Sequence, residues 1–256
     1  MTEIIYVMKD FIQTYDNVLD RQTCNTLIEK FDKCGDNQLG SSKRAKPGRQ
    51  FTEILFRENM DVFKDEYEVC LNAFSSIIER YKKDCEIGDI GLPSEQAQPY
   101  QALWPQKYGM EGIKIKRYLD NDIDMFNWHV DVNDGVSNQR FLAFFIYLDD
   151  NEAGTTQFVH KEIDCAAGSA LLFPPLWNYL HRGNKPIKKP KYLLQSYLHY
   201  LSPEALGQPS HWDIEGVERY LLAGRKKDAI TKIHQLHEKF PNSEIVNQMM
   251  ERINEG

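Results

Sequence analysis

Apolar positions along this chain change their period twice. Near the start, DRQTCNTLIEKF places Cys24, Leu27, Ile28 and Phe31 at helical spacing, with Asp20 positioned to cap the helix. The same period recurs from about Met60 to Tyr81, where Phe63, Tyr67, Cys70, Leu71, Phe74 and Ile78 share one face. From Gly112 the period shortens to two. IKIKRYL alternates, FLAFFIYL is apolar on both faces, TTQFVHKEI alternates again, and GSALLFPP and KYLLQSYLHYL follow. Turns such as DDNEAG, AAGS and RGNKP break these runs into short strands, a pattern that predicts an antiparallel sandwich or barrel. From about Asp213 the helical period returns. Ile230, Ile233, Leu236 and Phe240 form one stripe, and Ile245, Met249 and Ile253 form another. The pattern therefore predicts a main domain over residues 1–210 and a helical extension over 211–256.

Two stretches carry no period. GDNQLGSSKRAKPGRQ (35–50) is polar and locally basic through Lys43, Arg44, Lys46 and Arg49, and is expected to be a solvated loop able to close over a substrate. EIGDIGLPSEQAQPYQALWPQ (86–106) holds three prolines and presents Tyr100 and Trp104, expected to pack on the core.

Composition narrows the function classes. A length of 256 residues suffices for one large core, and a hydrophobic share of 41% with 27% charged is ordinary for a globular protein. A formal net charge of -7 argues against nucleic-acid binding. No apolar run is long enough to span a bilayer, so no membrane partner is expected. The opening MTEIIYVMKDFIQTY lacks the basic start of a secretory signal and reads as mature sequence. Five cysteines (Cys24, Cys34, Cys70, Cys85, Cys165) without a CxxC pair suit reduced thiols in a cytoplasmic setting.

The candidate chemistry begins at FNWHVD. On a strand, side chains two apart project to the same face, so His129 and Asp131 would offer one imidazole and one carboxylate together. Taken alone, an HxD pair is more often a surface hydrogen bond than a metal site. A third donor must arrive from another strand. His181, in YLHRGNKP after GSALLFPP, has the turn context for it, whereas His160, His199, His211, His234 and His237 do not. Two histidines and one carboxylate leave positions open on a metal, the arrangement of non-haem Fe(II) oxygenases. Lys191 opens the next strand, and a cation inside a barrel is costly unless it meets an anion such as a dicarboxylate.

This ordered set, His129-x-Asp131, GTTQF, GSALLFP, His181 with Gly183, and Lys191-Tyr192, resembles the prolyl 4-hydroxylase-like Fe(II)/2-oxoglutarate dioxygenases over roughly residues 110–200. The resemblance implies an α+β protein with a double-stranded β-helix (jelly-roll) core, N-terminal flanking helices and a C-terminal helical hairpin. It implies that His129, Asp131 and His181 ligate iron and that Lys191 pairs with the distal carboxylate of 2-oxoglutarate. It also implies that Tyr118 hydrogen-bonds that carboxylate. Ala153 departs from the family's usual Gly-Gly turn, Pro186 lies later than the usual Pro after the distal His, and Lys189-Pro190 stands where Gly is common.

The activity implied is hydroxylation of an unactivated C–H bond on a prolyl residue of a peptide or protein, using Fe(II), 2-oxoglutarate and O2, with ascorbate as a further candidate. A homodimer is a candidate assembly. Two other readings stand beside it: a hydroxylase of a free amino acid or another side chain, and a cupin-like metal-binding module without turnover. Around the site, Trp128 is expected to pack, Gln195 shares the strand parity of Lys191, and Arg140 is expected to face solvent.

Overall fold

A computed structural model describes residues 10–35, 39–40, 48–88, 103–135 and 137–255. The chain divides into two compact units, Met1–Tyr200 and Leu201–Gly256. Lys43, Arg44, Lys46 and Tyr100 lie outside the described residues.

In the first unit, strand β1 (Gln13–Tyr15) precedes helix α1 (Arg21–Lys33), which starts where Asp20 accepts a hydrogen bond from the Thr23 amide at 2.7 Å. Short strands β2 (Leu39–Gly40), β3 (Arg49–Gln50) and β4 (Thr52–Leu55) lead to helix α2 (Met60–Asp84). The strands β5 (Tyr108–Met110), β6 (Lys114–Tyr118), β7 (Met125–His129), β8 (Arg140–Tyr147), β9 (Asn151–Phe158), β10 (Glu162–Cys165), β11 (Ala170–Phe173), β12 (His181–Gly183) and β13 (Lys191–Tyr200) complete the unit. They form two antiparallel sheets. The larger runs β1-β11-β8-β13-β6-β4-β2, with β5 also on β13, and the smaller runs β10-β9-β12-β7-β3. This is a jelly-roll core with flanking helices.

The two faces of the larger sheet follow directly from strand parity. Leu142, Phe144 and Ile146 of β8 join Leu27 and Phe31 of α1 and Phe63 and Phe74 of α2 in one buried cluster. Ala143, Phe145 and Tyr147 face the other way and pack with Phe158, Phe173, Leu193 and Tyr197 in a second cluster. FLAFFIYL is apolar on both faces because both are covered.

Several local expectations shift. TTQFVHKEI is not one strand: β9 ends at Phe158 and β10 begins at Glu162, with Gln157 opposite Glu162. The hairpin between them leaves Val159 largely exposed, which its place in an alternating run disguised. DDNEAG is mostly strand, because β9 already starts at Asn151. In AAGS, Gly168 has φ +76, and a Cβ there would strike the Leu19 carbonyl oxygen, so glycine is required.

The described residues of the second unit form three α-helices, α3 (His211–Leu222), α4 (Lys226–Lys239) and α5 (Glu244–Glu255). Ser210 caps α3 by accepting from the Asp213 amide, and Gly224 turns the chain at φ +70. Val217, Ala229, Ile233, Leu236, Phe240, Val246, Met249 and Ile253 form its core. Ile245, expected in that stripe, is exposed, and Val246 takes the inward position. No described helix is long and apolar enough to cross a membrane.

Candidate metal centre

The site lies between the two sheets of the first unit. His129 ends β7 and His181 begins β12, and the two residues are direct partners in the antiparallel ladder. Their rings stand 4.3 Å apart. Asp131 is not on a strand, contrary to the parity argument; it occupies the bend after β7, where Arg140 Nη1 donates to its carbonyl oxygen at 3.1 Å. Donor atoms from His129, Asp131 and His181 all lie within 4.8 Å of one another, and no other group of metal-ligating residues occurs among the described residues.

The backbone sets the tautomers. His129 Nδ1 donates to the Asn127 carbonyl at 2.7 Å, and His181 Nδ1 donates to the Tyr179 carbonyl at 3.0 Å. A carbonyl oxygen only accepts, so each Nδ1 carries the proton and each Nε2 keeps its lone pair. Those Nε2 atoms face Asp131, at 3.5 Å from Oδ1 and 3.7 Å from Oδ2.

Charge states suit a cation. Burial pushes the His181 imidazolium down to about 4, against the opposing pull of Asp131, so the ring is neutral at physiological pH. Burial raises the Asp131 carboxyl, but the facing His129 and His181 imidazoles and the nearby Lys116 outweigh it and hold it well below the carboxylate range. Asp131 Oδ2 is buried and has no hydrogen-bond partner. An anionic oxygen left so, beside two outward lone pairs, has the donor chemistry of a divalent metal site. The residues fit the group.

Beside this triad, a narrow pocket is lined by Lys116, Tyr118, Phe126, His129, Phe145, Thr156, His181, Gly183, Lys191, Leu193 and Gln195. Lys191 is 1% exposed and pairs across the ladder with Tyr118. Its ammonium has no carboxylate within salt-bridge distance among the described residues, only the rings of Tyr147 at 5.3 Å and Tyr118 at 5.7 Å. Burial lowers its pKa. Burial pushes the Tyr118 phenol up, so it remains a hydrogen-bond donor.

Gly154 makes room for this lysine: a Cβ there would sit 3.0 Å from Lys191 Cδ. Asn151 anchors the flanking loops, accepting from the Gly154 amide at 2.8 Å and donating to the Lys189 carbonyl at 2.9 Å. Lys188 adopts φ 65 in the second loop, where the departures at Lys189-Pro190 leave no glycine. Free volume in the narrow pocket is about 20 Å³, room for a single water.

Three residues were not anticipated. Lys116 shares the parity of Tyr118 on β6 and is 5% exposed, a placement that the alternation of IKIKRYL already implied. Thr156, inside GTTQF, lines the pocket and accepts a hydrogen bond from Tyr147 Oη at 2.7 Å. Asn151 carried no sequence signal. Arg140, expected in solvent, is tied to Glu111 through Nε and Nη2 and lies over the Tyr197 ring at 3.9 Å. Gln195 does line the pocket, with Oε1 buried and unpartnered. Trp128 is half-exposed beneath the Arg182 guanidinium. Trp104 is buried against Tyr108 and Phe141.

Residues 113–199 match the family model of the 2OG-Fe(II) oxygenase superfamily. This segment is similar to 2OG-Fe(II) oxygenase domains. The family implies Fe(II), 2-oxoglutarate and O2. Among solved structures, the chain is similar to the viral collagen prolyl hydroxylase of Paramecium Bursaria Chlorella virus-1, with 17% identity, TM-score 0.51, and coverage of 75% of this chain and 97% of that one. It is also similar to a prolyl hydroxylase from Trichoplax adhaerens solved with a hypoxia inducible factor peptide fragment, at 13% identity, TM-score 0.51, covering 75% and 84%. A Pseudomonas putida prolyl-4-hydroxylase gives 12% identity, TM-score 0.50, covering 75% and 93%. At these identities the likeness concerns the fold. No curated protein matches the chain.

Proposed function

We propose that this protein is an Fe(II)- and 2-oxoglutarate-dependent dioxygenase that hydroxylates an unactivated C–H bond on a prolyl residue of a peptide or protein. The observation that carries the reading is the pairing of two incomplete sites: a triad with an unsatisfied carboxylate oxygen, and a buried ammonium without an acid. Fe(II) with an α-keto acid satisfies both. The prolyl target is favoured by the fold shared with the prolyl hydroxylases above.

In this reading His129 and His181 Nε2 and an Asp131 oxygen hold the metal. The metal supplies oxygen activation coupled to decarboxylation of the cosubstrate. The chain's own residues supply position. Lys191 takes the distal carboxylate of 2-oxoglutarate, converting a costly buried charge into a charge-assisted pair. Tyr118, kept protonated, donates to the same carboxylate. The two backbone carbonyls hold both Nδ1 protons and so keep the rings oriented. Phe126, Phe145 and Leu193 exclude water from the space between lysine and metal.

The test is a screen of proline-containing peptides with Fe(II) and 2-oxoglutarate, read by mass spectrometry. A +16 shift on proline that requires 2-oxoglutarate supports the proposal. A shift on another residue or on a free amino acid replaces the prolyl target, and 2-oxoglutarate that is never turned over removes the oxygenase reading.

A further inference from the structure

Lys191 answers the cosubstrate, which leaves a second buried cation unexplained. Lys116 sits two residues before Tyr118 on β6, opposite Leu193, and its Nζ lies 4.4 Å from the Phe51 ring centroid and 5.8 Å from that of Phe126. No carboxylate comes within salt-bridge distance of it among the described residues. It lines the narrow pocket and also a wider cleft of about 250 Å³ that borders His129 and Asp131.

That cleft has an uneven charge. Arg49 and Lys114 line it too, and neither has an acidic partner among the described residues; Arg49 Nε is buried without a hydrogen bond. Arg140 is engaged by Glu111, and Asp134 is bound into its turn by Ser137. Setting aside Asp131 as a metal ligand, the acids of the lining are Asp134 and Glu53, the ladder partner of Lys116. Three cations without an acidic partner among the described residues, against two carboxylates, in a chain of net charge -7, mark a local receptor for negative charge.

The cosubstrate does not account for it. A single diacid is already held at one end by Lys191 and at the other by the metal, whereas Arg49 and Lys114 line only the cleft. We infer that Lys116, with Arg49 and Lys114, receives a carboxylate of the substrate that is hydroxylated. The inference rests on the oxygenase reading above and adds the substrate class: a target flanked by an acidic side chain, or one bearing a free terminal carboxylate. The depressed lysine pKa, about 7 through burial, agrees with a site completed by an incoming anion.

Calorimetry on the zinc-substituted protein, which does not turn over, tests it. Binding of 2-oxoglutarate is read first, and its absence would fault the oxygenase reading independently of the receptor. Four sets of short peptides follow: capped with Asp or Glu beside Pro, capped with Asn or Gln instead, uncharged with a free C-terminal carboxylate on Pro, and the acidic set with Ala replacing Pro. The expected result is that a carboxylate-bearing set binds roughly 10- to 100-fold tighter than the neutral set, the range of one charge-assisted hydrogen bond. Whichever carboxylate set does so identifies the source. Lys116→Met should erase that preference and Lys116→Arg should retain most of it. Tight binding of the alanine set keeps the receptor and removes proline as the target. Equal affinity for acidic and neutral sets, no binding by either carboxylate set, or a preference that survives in Lys116→Met overturns the inference.

Discussion

His129 and His181 stand directly opposite one another across the β7–β12 ladder, each with its Nδ1 proton given to a backbone carbonyl and its Nε2 turned toward Asp131. Two rings locked in this way form a preorganised donor pair. Replacing either leaves one nitrogen and one carboxylate, too few to hold a divalent ion firmly. His129→Ala should therefore lose bound metal on desalting and make no succinate from 2-oxoglutarate. Metal retention at the wild-type level would show that the ladder pair is not the ligand set.

In the proposed reading Lys191 serves the cosubstrate and not the metal. Lys191→Ala should keep its metal and lose 2-oxoglutarate affinity by roughly 10- to 100-fold, the worth of a charge-assisted hydrogen bond. Cosubstrate titration of the metal-loaded variant reads this, and an unchanged affinity would reassign the lysine.

Gly154 gives an indirect route to the same residue. A methyl at Gly154 would lie 3.0 Å from Lys191 Cδ and from Asn151 Oδ1, so both must shift. Overpacking of this kind costs about 1–3 kcal/mol. Gly154→Ala should lower the thermal midpoint and weaken 2-oxoglutarate binding while metal content stays at the wild-type level. A variant that binds 2-oxoglutarate like the wild type would show that the lysine stem has room to spare.

Lys116 predicts a pH-dependent stability. Its folded pKa, about 7, lies below the ordinary value of 10.5, so between those limits the unfolded chain holds a proton the folded one lacks. Stability of the wild type therefore rises with pH through that window relative to Lys116→Met. The methionine variant should be more stable near pH 6, by roughly 1–4 kcal/mol, the range for exchanging buried charge for apolar packing. Its advantage should shrink by pH 9. Urea unfolding at the two pH values measures it, and an advantage that grows with pH would contradict the sign.

Much of this was legible in the chain because period and parity are local. Asp20 caps α1, Phe63 and Phe74 face inward from α2, and the double-sided FLAFFIYL lies between two cores for the reasons their spacing implied. His129, Asp131 and His181 were found as an ordered set, though Asp131 reaches its place from a bend. Parity also placed Lys116 on the face of Tyr118, a placement the alternation contained and the motif did not use. Asn151 and the Arg140–Glu111 pair were not legible, because both depend on loops meeting across the fold: Asn151 reaches 38 residues onward to Lys189, and Arg140 reaches back 29 residues to Glu111. The Phe158–Glu162 hairpin was hidden because its exposed Val159 preserves the alternation through a turn.

The central claim is that His129, Asp131 and His181 together hold a ferrous ion able to take an α-keto acid. Anaerobic titration of the Fe(II)-loaded protein with 2-oxoglutarate, followed in the visible, tests it most directly. A weak charge-transfer band that saturates with the cosubstrate and is missing in His181→Ala is the predicted result. A silent wild-type spectrum, or an unchanged band in His181→Ala, would contradict it.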